Sequence, residues 1–500
     1  MSRYLMGYDI GTSSVKASVI DIEKGNLVAS ATSPDIEMDI ISKQKGFAEQ
    51  NPEDWWQHVK LATKKIKEVL KIDLKLVEAI GISYQMHGLV VVDKDKNVLR
   101  PSIIWSDSRA VEIGKKAFET LGSDKCFKML LNSPGNFTAS KLRWVKENEP
   151  DTFKKIYKIM LPGDYIAMKF TNEIITSYSG LSEGIFWNYQ SNSVADFLLD
   201  YYEIQASLLA DAKPSFSDQG EISDSIADEL GFKKGIKITY RAGDQPNNAF
   251  SLNVLDPGQI AATAGTSGVI YGVSDNPNYD PEERVNVFVH VNHDKNSQRY
   301  GILLCLNGTG ILYRWLKNNY SFSKSGGISY DEMNDLASKS PAGADGLFIL
   351  PYGNGAERTL QNKNIGSSIH GLNFNIHSQS HIFRAAQEGI IFGMNYGFKI
   401  MKKMDVKIDT IKAGNANMFL SPLFQKIFTS ITEVPLELYN TDGAQGAARG
   451  AGIGAGIYNS KNAFDGLKII KVIEPDQNLV KEYKMIYSEW VNILEKYLNN

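Results

Sequence analysis

The chain carries one short phrase twice. Gly11-Thr12-Ser13-Ser14-Val15 and Gly265-Thr266-Ser267-Gly268-Val269 match at four of five positions, and the second follows the first by half of the 500-residue chain. Each stands between apolar runs: Tyr4 to Tyr8 and Val15 to Ile20 around the first, Gln259 to Ala264 and Val269 to Val273 around the second. Runs of this length read as buried strands. A Gly-Thr-Ser turn between two of them reads as a β-hairpin. Five matching residues alone arise by chance; the shared strand–turn–strand setting and the half-chain offset make them a duplication. Two similar α/β halves follow, residues 1–245 and 254–500, each long enough to bury a core. No low-complexity linker separates them, so they are expected to pack together.

Backbone N–H groups in such a turn, with the Thr and Ser hydroxyls, can hold phosphate oxygens. The same residue types also build plain turns. Neither hairpin opens a helix, which excludes the glycine turns of Rossmann and Walker sites. Two phosphate hairpins imply one nucleotide in the cleft between the halves. Asp9 closes the first strand, placed to hold Mg²⁺ through water. Lys237 to Tyr240 is a strand that delivers Asp244 behind Gly243.

Two further clusters follow apolar runs. Leu76 to Ser83 is a strand ending at Tyr84-Gln85-Met86-His87-Gly88, and Trp105-Ser106-Asp107-Ser108-Arg109 follows Ile103-Ile104. Strand ends are where α/β proteins carry function. His87 reads as a substrate contact or as a structural histidine. Asp107 and Arg109 read as a local ion pair, or as groups presented to a polyol with Trp105 stacked on its face.

In the second half, Asn307-Gly308-Thr309-Gly310 leads into a helix, and Thr410 to Ala413 is a strand ending at Gly414-Asn415. Asp442 to Tyr458 carries Gly443, Gly446, Gly450 and Gly454. Each glycine costs a helix about 1 kcal/mol against alanine, so the spacing marks close approach, by a neighbouring element or by a nucleotide. Thr176 to Asn188 reads as a polar, glycine-containing loop.

A formal net charge of −3 gives no basic footprint for nucleic acid. Two cysteines, Cys126 and Cys305, make no disulfide framework and suit a reducing cytosol. No apolar run approaches the ~18 residues of a membrane span. His290 and His293 form an H-x-x-H whose members face opposite sides of a strand, a poor zinc pair. The expectation is a cytoplasmic protein; a homodimer is compatible with it.

These stretches, in order, resemble the FGGY carbohydrate kinases: Y-D-I-G-T-S-S-V-K, Q-N-P-E-D-W-W, G-I-S-Y-Q-M-H-G-L-V, L-R-P-S-I-I-W-S-D-S-R, L-P-G-D-Y-I, A-G-D-Q, A-G-T-S-G-V, L-P-Y-G-N-G-A-E-R-T and D-G-A-Q-G-A-A-R-G-A. The resemblance implies two duplicated actin-like, ribonuclease H-like ATPase domains around an interdomain site. It implies ATP and Mg²⁺ as cofactors and a sugar as acceptor; Q-M-H-G points to D-xylulose. Asp244 matches the catalytic base and Asp9 an acidic position near metal and phosphates, so both are candidate metal ligands. Met86 and His87 match the substrate-contacting pair, with Gln85, Trp105, Asp107 and Gln245 beside them. Gly11, Thr12, Ser13 and Lys16, then Gly265, Thr266 and Ser267, match the phosphate hairpins. Gly310, Gly414 and Asn415 fall on the nucleotide side.

Three departures bear on the sugar. Family members acting on xylulose read G-G-G-D-N where this chain has Arg241-Ala242-Gly243-Asp244-Gln245. Ser106 replaces an amide, and Ala413 replaces the first glycine of a C-terminal triplet. Glycerol, ribulose, gluconate or a deoxyketose are the rival acceptors. A non-catalytic, Hsp70-like ATPase is the rival class; Met86, His87 and Asp244 argue against it.

Overall fold

The computed structural model describes residues 2–294, 296–320 and 327–499. Its frame is two sheets of one design. In the first, β1 (Tyr4–Ile10), β2 (Val15–Asp21) and β3 (Leu27–Ser33) run antiparallel; β4 (Val77–Tyr84) and β5 (Lys237–Gly243) continue from β1 in parallel, giving the order β5-β4-β1-β2-β3. In the second, β6 (Gly258–Ala264), β7 (Gly268–Ser274), β8 (Asn286–Val289), β9 (Tyr300–Leu306), β10 (Ile408–Gly414), β11 (Leu436–Tyr439) and β12 (Ile469–Ile473) take the order β8-β9-β7-β6-β10-β11-β12. The five strands β9-β7-β6-β10-β11 reproduce the first sheet, antiparallel on one side of β6 and parallel on the other. The repeated phrase is therefore the β1–β2 turn in one sheet and the β6–β7 turn in the other. The strands form because their residues are apolar on both faces: Leu5, Met6, Tyr8 and Ile10 are fully buried, as are Ile260, Ala262 and Ile270.

Seven helices position the site. They are α1 (Pro52–Lys64), α2 (Thr138–Asn148), α3 (Tyr178–Glu183), α4 (Asp244–Ser251), α5 (Gly310–Asn319), α6 (Gln379–Lys403) and α7 (Gly443–Gly454). Asn51 starts α1, accepting the Glu53 N–H with Pro52 in the first position. The helix α4 grows from β5 and α7 from β11, the fifth strand of each repeat. Each then crosses to the seam. Ala249 of α4 and Leu252 just past its end pack with Ala261, Tyr271 and Val273 of the second sheet. Ala447, Ala448 and Ala451 of α7 pack with Leu5, Ala79 and Ala242 of the first.

Close packing accounts for most glycines of α7. A β-carbon on Gly450 would collide with the Tyr240 ring, one on Gly454 with the Thr239 carbonyl, and one on Gly446 with Ser251. The strands reciprocate, since β-carbons on Gly7 and Gly81 would strike the carbonyls of Ala444 and Ala447. Only Gly443, at the start of α7, meets a site residue.

One element departs from expectation. Within residues 176–188 lies the short buried helix α3, where a loop was expected. Its polar side chains serve the exposed edge of β8: Ser182 Oγ accepts the Val289 N–H at 2.7 Å, and Ser179 Oγ donates to the Val289 carbonyl at 3.1 Å. Asn132 does the same two residues earlier, accepting from Val287 N and donating to Val287 O. The halves are thus joined by side chains satisfying a strand edge. Among the described residues no helix is long and apolar enough to cross a membrane.

Candidate active site

Asp9 ends β1, and Asp244 begins α4 just past β5. Both face the seam. Asp9 accepts the Ser83 hydroxyl at 2.8 Å. Burial raises its carboxyl above the ordinary range, and the charge of Asp442 adds to this. Asp244 is pushed up to about 7, first by burial and then by the field of Asp9, against the pull of the Gln245 N–H and side chain. A carboxylate with a value near neutrality suits proton transfer. Gly443 supplies room: a β-carbon there would overlap the Asp9 carboxylate.

Two converging carboxylates do not make a metal cage, and among the described residues no three metal-ligating side chains gather. They fit Mg²⁺ nonetheless, because that ion is held by one or two carboxylates plus substrate phosphates and water.

His87 stands 2.9 Å from the Glu183 carbonyl through Nδ1. A carbonyl only accepts, so Nδ1 carries the hydrogen and Nε2 is left as an acceptor. Burial pushes this imidazole down to about 3, so it is neutral. Its ring lies between Phe137 of the first half and Phe288 of the second, at 4.9 and 5.3 Å. Met86 is buried against Gly243. Trp105 is 56% exposed, so its face is free, and its indole N–H donates to Thr12 Oγ1 at 2.9 Å. That bond joins the tryptophan loop to the first hairpin.

Two expected sugar contacts are held by protein partners. Gln85 is buried with both ends committed: its Oε1 accepts Thr12 Oγ1 at 3.0 Å and its Nε2 donates to Gln50 at 3.1 Å. It supports the hairpin from beneath. Asp107 is buried too, gripped by Arg109 at 2.7 Å and by the Ala48 N–H at 2.6 Å. The ion-pair reading of Asp107 and Arg109 is the one observed. Arg109 continues the chain of charges to Glu49 and lies over the Phe47 ring.

At the second hairpin, Gly265, Thr266 and Gly310 line a cavity of about 330 Å³ with Tyr313, Asn417 and Ser421. The Gly310 N–H donates to the Gly265 carbonyl at 2.8 Å, which locks the start of α5 under the second hairpin. Glu357 carries the same loop, accepting the Asn307 N–H at 2.9 Å. Gly414 and Asn415 lie outside this lining; Asn417 is the side chain beside Gly265. Ser13 and Ser267 sit on the two turns, while Gly11 closes the first through its N–H to the Ser14 carbonyl. Lys16, across the ladder from Asp9, is ion-paired with Asp442 at 2.7 Å.

One group had no sequence signal. Glu183 ends α3, buried, with the Tyr84 hydroxyl beside its carboxyl and with Gly243 and Met86 against it. Burial, then the charge of Asp244, raises it well above the usual carboxyl range.

Comparison with known proteins gives one answer. The sequence matches the FGGY family of carbohydrate kinases, N-terminal domain, over residues 4–251, and the C-terminal domain of that family over residues 260–457. It is 28% identical to the xylulose kinase of Bacillus subtilis (strain 168) over 98% of this chain and 96% of that protein. The fold is that of the xylulose kinase from Rhodospirillum rubrum, with a TM-score of 0.88, 23% identity and all of both chains covered. It is equally that of the gluconate kinase from Lactobacillus acidophilus, with a TM-score of 0.89, 24% identity, and 100% and 99% of the two chains covered. The chain belongs to the FGGY family of carbohydrate kinases.

Proposed function

We propose that the protein transfers the γ-phosphoryl group of ATP to the terminal hydroxyl of D-xylulose, giving D-xylulose 5-phosphate and ADP. The observation that carries this is Asp244, a carboxyl held near neutrality at the seam of the two halves, together with neutral His87, exposed Trp105 and the two Gly-Thr-Ser hairpins. Asp244 accepts the hydroxyl proton as that oxygen bonds to phosphorus and the bond from phosphorus to the β–γ bridging oxygen breaks. General-base help of this kind contributes about 10²–10⁴ in rate. His87 Nε2 accepts a hydrogen bond from a sugar hydroxyl, and the Trp105 face covers the carbon chain. N–H groups of the two hairpins meet the phosphate oxygens as charge moves onto them. Mg²⁺, held through Asp9 and Asp244, would neutralise charge between donor phosphates.

A second acceptor is favoured by one observation: Gln245, not the asparagine of xylulose-acting members, engages the base. Under that reading the sugar is another ketose or polyol, glycerol, ribulose or gluconate. An ADP-release assay across D-xylulose, D-ribulose, glycerol and D-gluconate decides. Highest kcat/KM with D-xylulose is expected; a preference for any other removes the narrower claim and leaves the kinase.

A further inference from the structure

Lys141 lies on α2 with no exposed surface. Among the described residues no carboxylate is within ion-pair distance of it. Its ammonium instead donates to two main-chain carbonyls, His87 at 2.9 Å and Ile104 at 3.0 Å. A buried ammonium outside an ion pair is strongly disfavoured, and burial duly pushes this one down to about 7. Asp107 and Arg109 of the tryptophan loop, Glu183 at the end of α3 and the imidazole of His87 are the charged and titratable groups around it.

The two carbonyls belong to different loops. One follows β4 and carries His87; the other immediately precedes Trp105. His87 is held with φ of 62°, a left-handed conformation that is uncommon outside glycine. Its carbonyl has no other partner among the described residues. A cation with several donors on a flexible stem can meet both oxygens at once; a hydrocarbon in its place would leave the His87 carbonyl without a partner and the Ile104 carbonyl with the Asp107 N–H alone, at 3.2 Å.

We propose that Lys141 is a positioning residue for the acceptor sugar, strapping the His87 peptide to the Ile104 peptide and thereby fixing the separation of imidazole and indole. This rests on the reading of His87 and Trp105 as the sugar-holding pair. Lys141 touches neither substrate; it sets the width of the slot. The cavity at α5 and the second hairpin has no residue of either loop in its lining, and the first hairpin meets the tryptophan loop through the Trp105–Thr12 hydrogen bond, which Lys141 does not itself make.

The test is Lys141→Met, which keeps the volume and removes the donors, beside Lys141→Gln, which keeps N–H donors without charge. D-xylulose affinity is measured by calorimetry, and KM for sugar and ATP by ADP release. The Met variant is expected to raise sugar KM and Kd at least tenfold, with ATP KM and sugar-independent ATP hydrolysis within twofold of wild type. The Gln variant is expected to fall between. A folded Met variant with sugar KM within twofold of wild type overturns the proposal, as does a parallel loss on both substrates, which marks a merely structural lysine. Should the Met variant not fold, the Gln variant decides: sugar KM raised threefold or more at constant ATP KM supports the strap, and an unchanged sugar KM overturns it. Wild-type enzyme inert toward D-xylulose defeats the sugar assignment alone, and the variants are then read with the sugar it does phosphorylate.

Discussion

The ammonium of Lys16 on β2 lies 2.7 Å from the carboxylate of Asp442, the residue that caps α7. One end belongs to the first half and the other to the second, so the pair closes the seam beside Asp9. The two charges act on Asp9 in opposite senses, Asp442 raising its carboxyl and Lys16 lowering it. Both are partly exposed, so the pair itself adds only about 0.2–1 kcal/mol of stability. Lys16→Met leaves Asp442 facing Asp9 uncompensated, and ATP KM should rise roughly threefold to tenfold, the scale of one charged contact. Asp442→Asn keeps a capping side chain and frees Lys16, so ATP KM should fall. If both variants weaken ATP alike, the pair works as a unit and the competition is not real.

Asp244→Asn removes the proton acceptor and keeps the shape. Steady-state kcat should drop by about 10²–10⁴, while sugar and ATP still bind. In the wild type, burial and the Asp9 field put the carboxyl at about 7. Below that pH the base is protonated, so kcat/KM for the sugar should fall tenfold per unit. The same shift has a stability sign. The folded state keeps a proton that the unfolded chain releases from 3.8 upward, so stability is lost as pH rises toward 7. Asp244→Asn should therefore melt above wild type at pH 8, with the difference vanishing near pH 4. A pH–rate profile flat from 5 to 8 would remove Asp244 as the base.

Gly443 at the start of α7 and Gly7 on β1, which packs against that helix, separate function from packing. A β-carbon on Gly443 meets the Asp9 carboxylate and Asn248, both side chains with freedom to move. Gly443→Ala should cost activity, about 10–100-fold if Asp9 is displaced by an ångström, with little change in melting temperature. A β-carbon on Gly7 meets the Ala444 backbone, which cannot yield. Gly7→Ala should destabilise by about 3 kcal/mol or more through overpacking, seen in denaturant unfolding. Equal losses of stability in both would place Gly443 with the packing glycines.

The strands and the duplication were legible because they rest on local pattern: apolar runs, turn residues and a repeated phrase. The helix α3 was not, because Ser179, Ser182 and neighbouring glycines look solvated until the edge of β8 is brought to them from more than a hundred residues away. The partners of Gln85 and Asp107 were hidden for a related reason. Polar residues at strand ends look available, and only the packed structure shows that Gln50, Arg109 and Ala48 already hold them. Glu183 lacked any signal, since an acid within a serine- and glycine-rich stretch reads as surface. Asn417 sits two residues from Asn415, within the usual error of placing a strand-end loop.

Trp105 and Thr12 couple the sugar loop to a phosphate hairpin through a single 2.9 Å hydrogen bond, and Thr12 passes it on to Gln85. Two substitutions divide the roles of the indole. Trp105→Phe keeps an aromatic face and loses the donor; Trp105→Ala loses both. The face is worth about 0.5–1.5 kcal/mol beyond burial, so sugar KM should rise roughly threefold to tenfold more in the Ala variant than in the Phe variant. The hydrogen bond concerns the hairpin, so ATP KM should rise in both to the same degree. Thr12→Val should reproduce that ATP effect. In the double variant Trp105→Phe with Thr12→Val the ATP effect should equal that of Thr12→Val alone, because both remove the Trp105–Thr12 bond and only Thr12→Val also removes the donor to Gln85. Full additivity would show that the bond carries no coupling between sugar and nucleotide, and that the hairpin is placed by Gln85 and Gln50 alone.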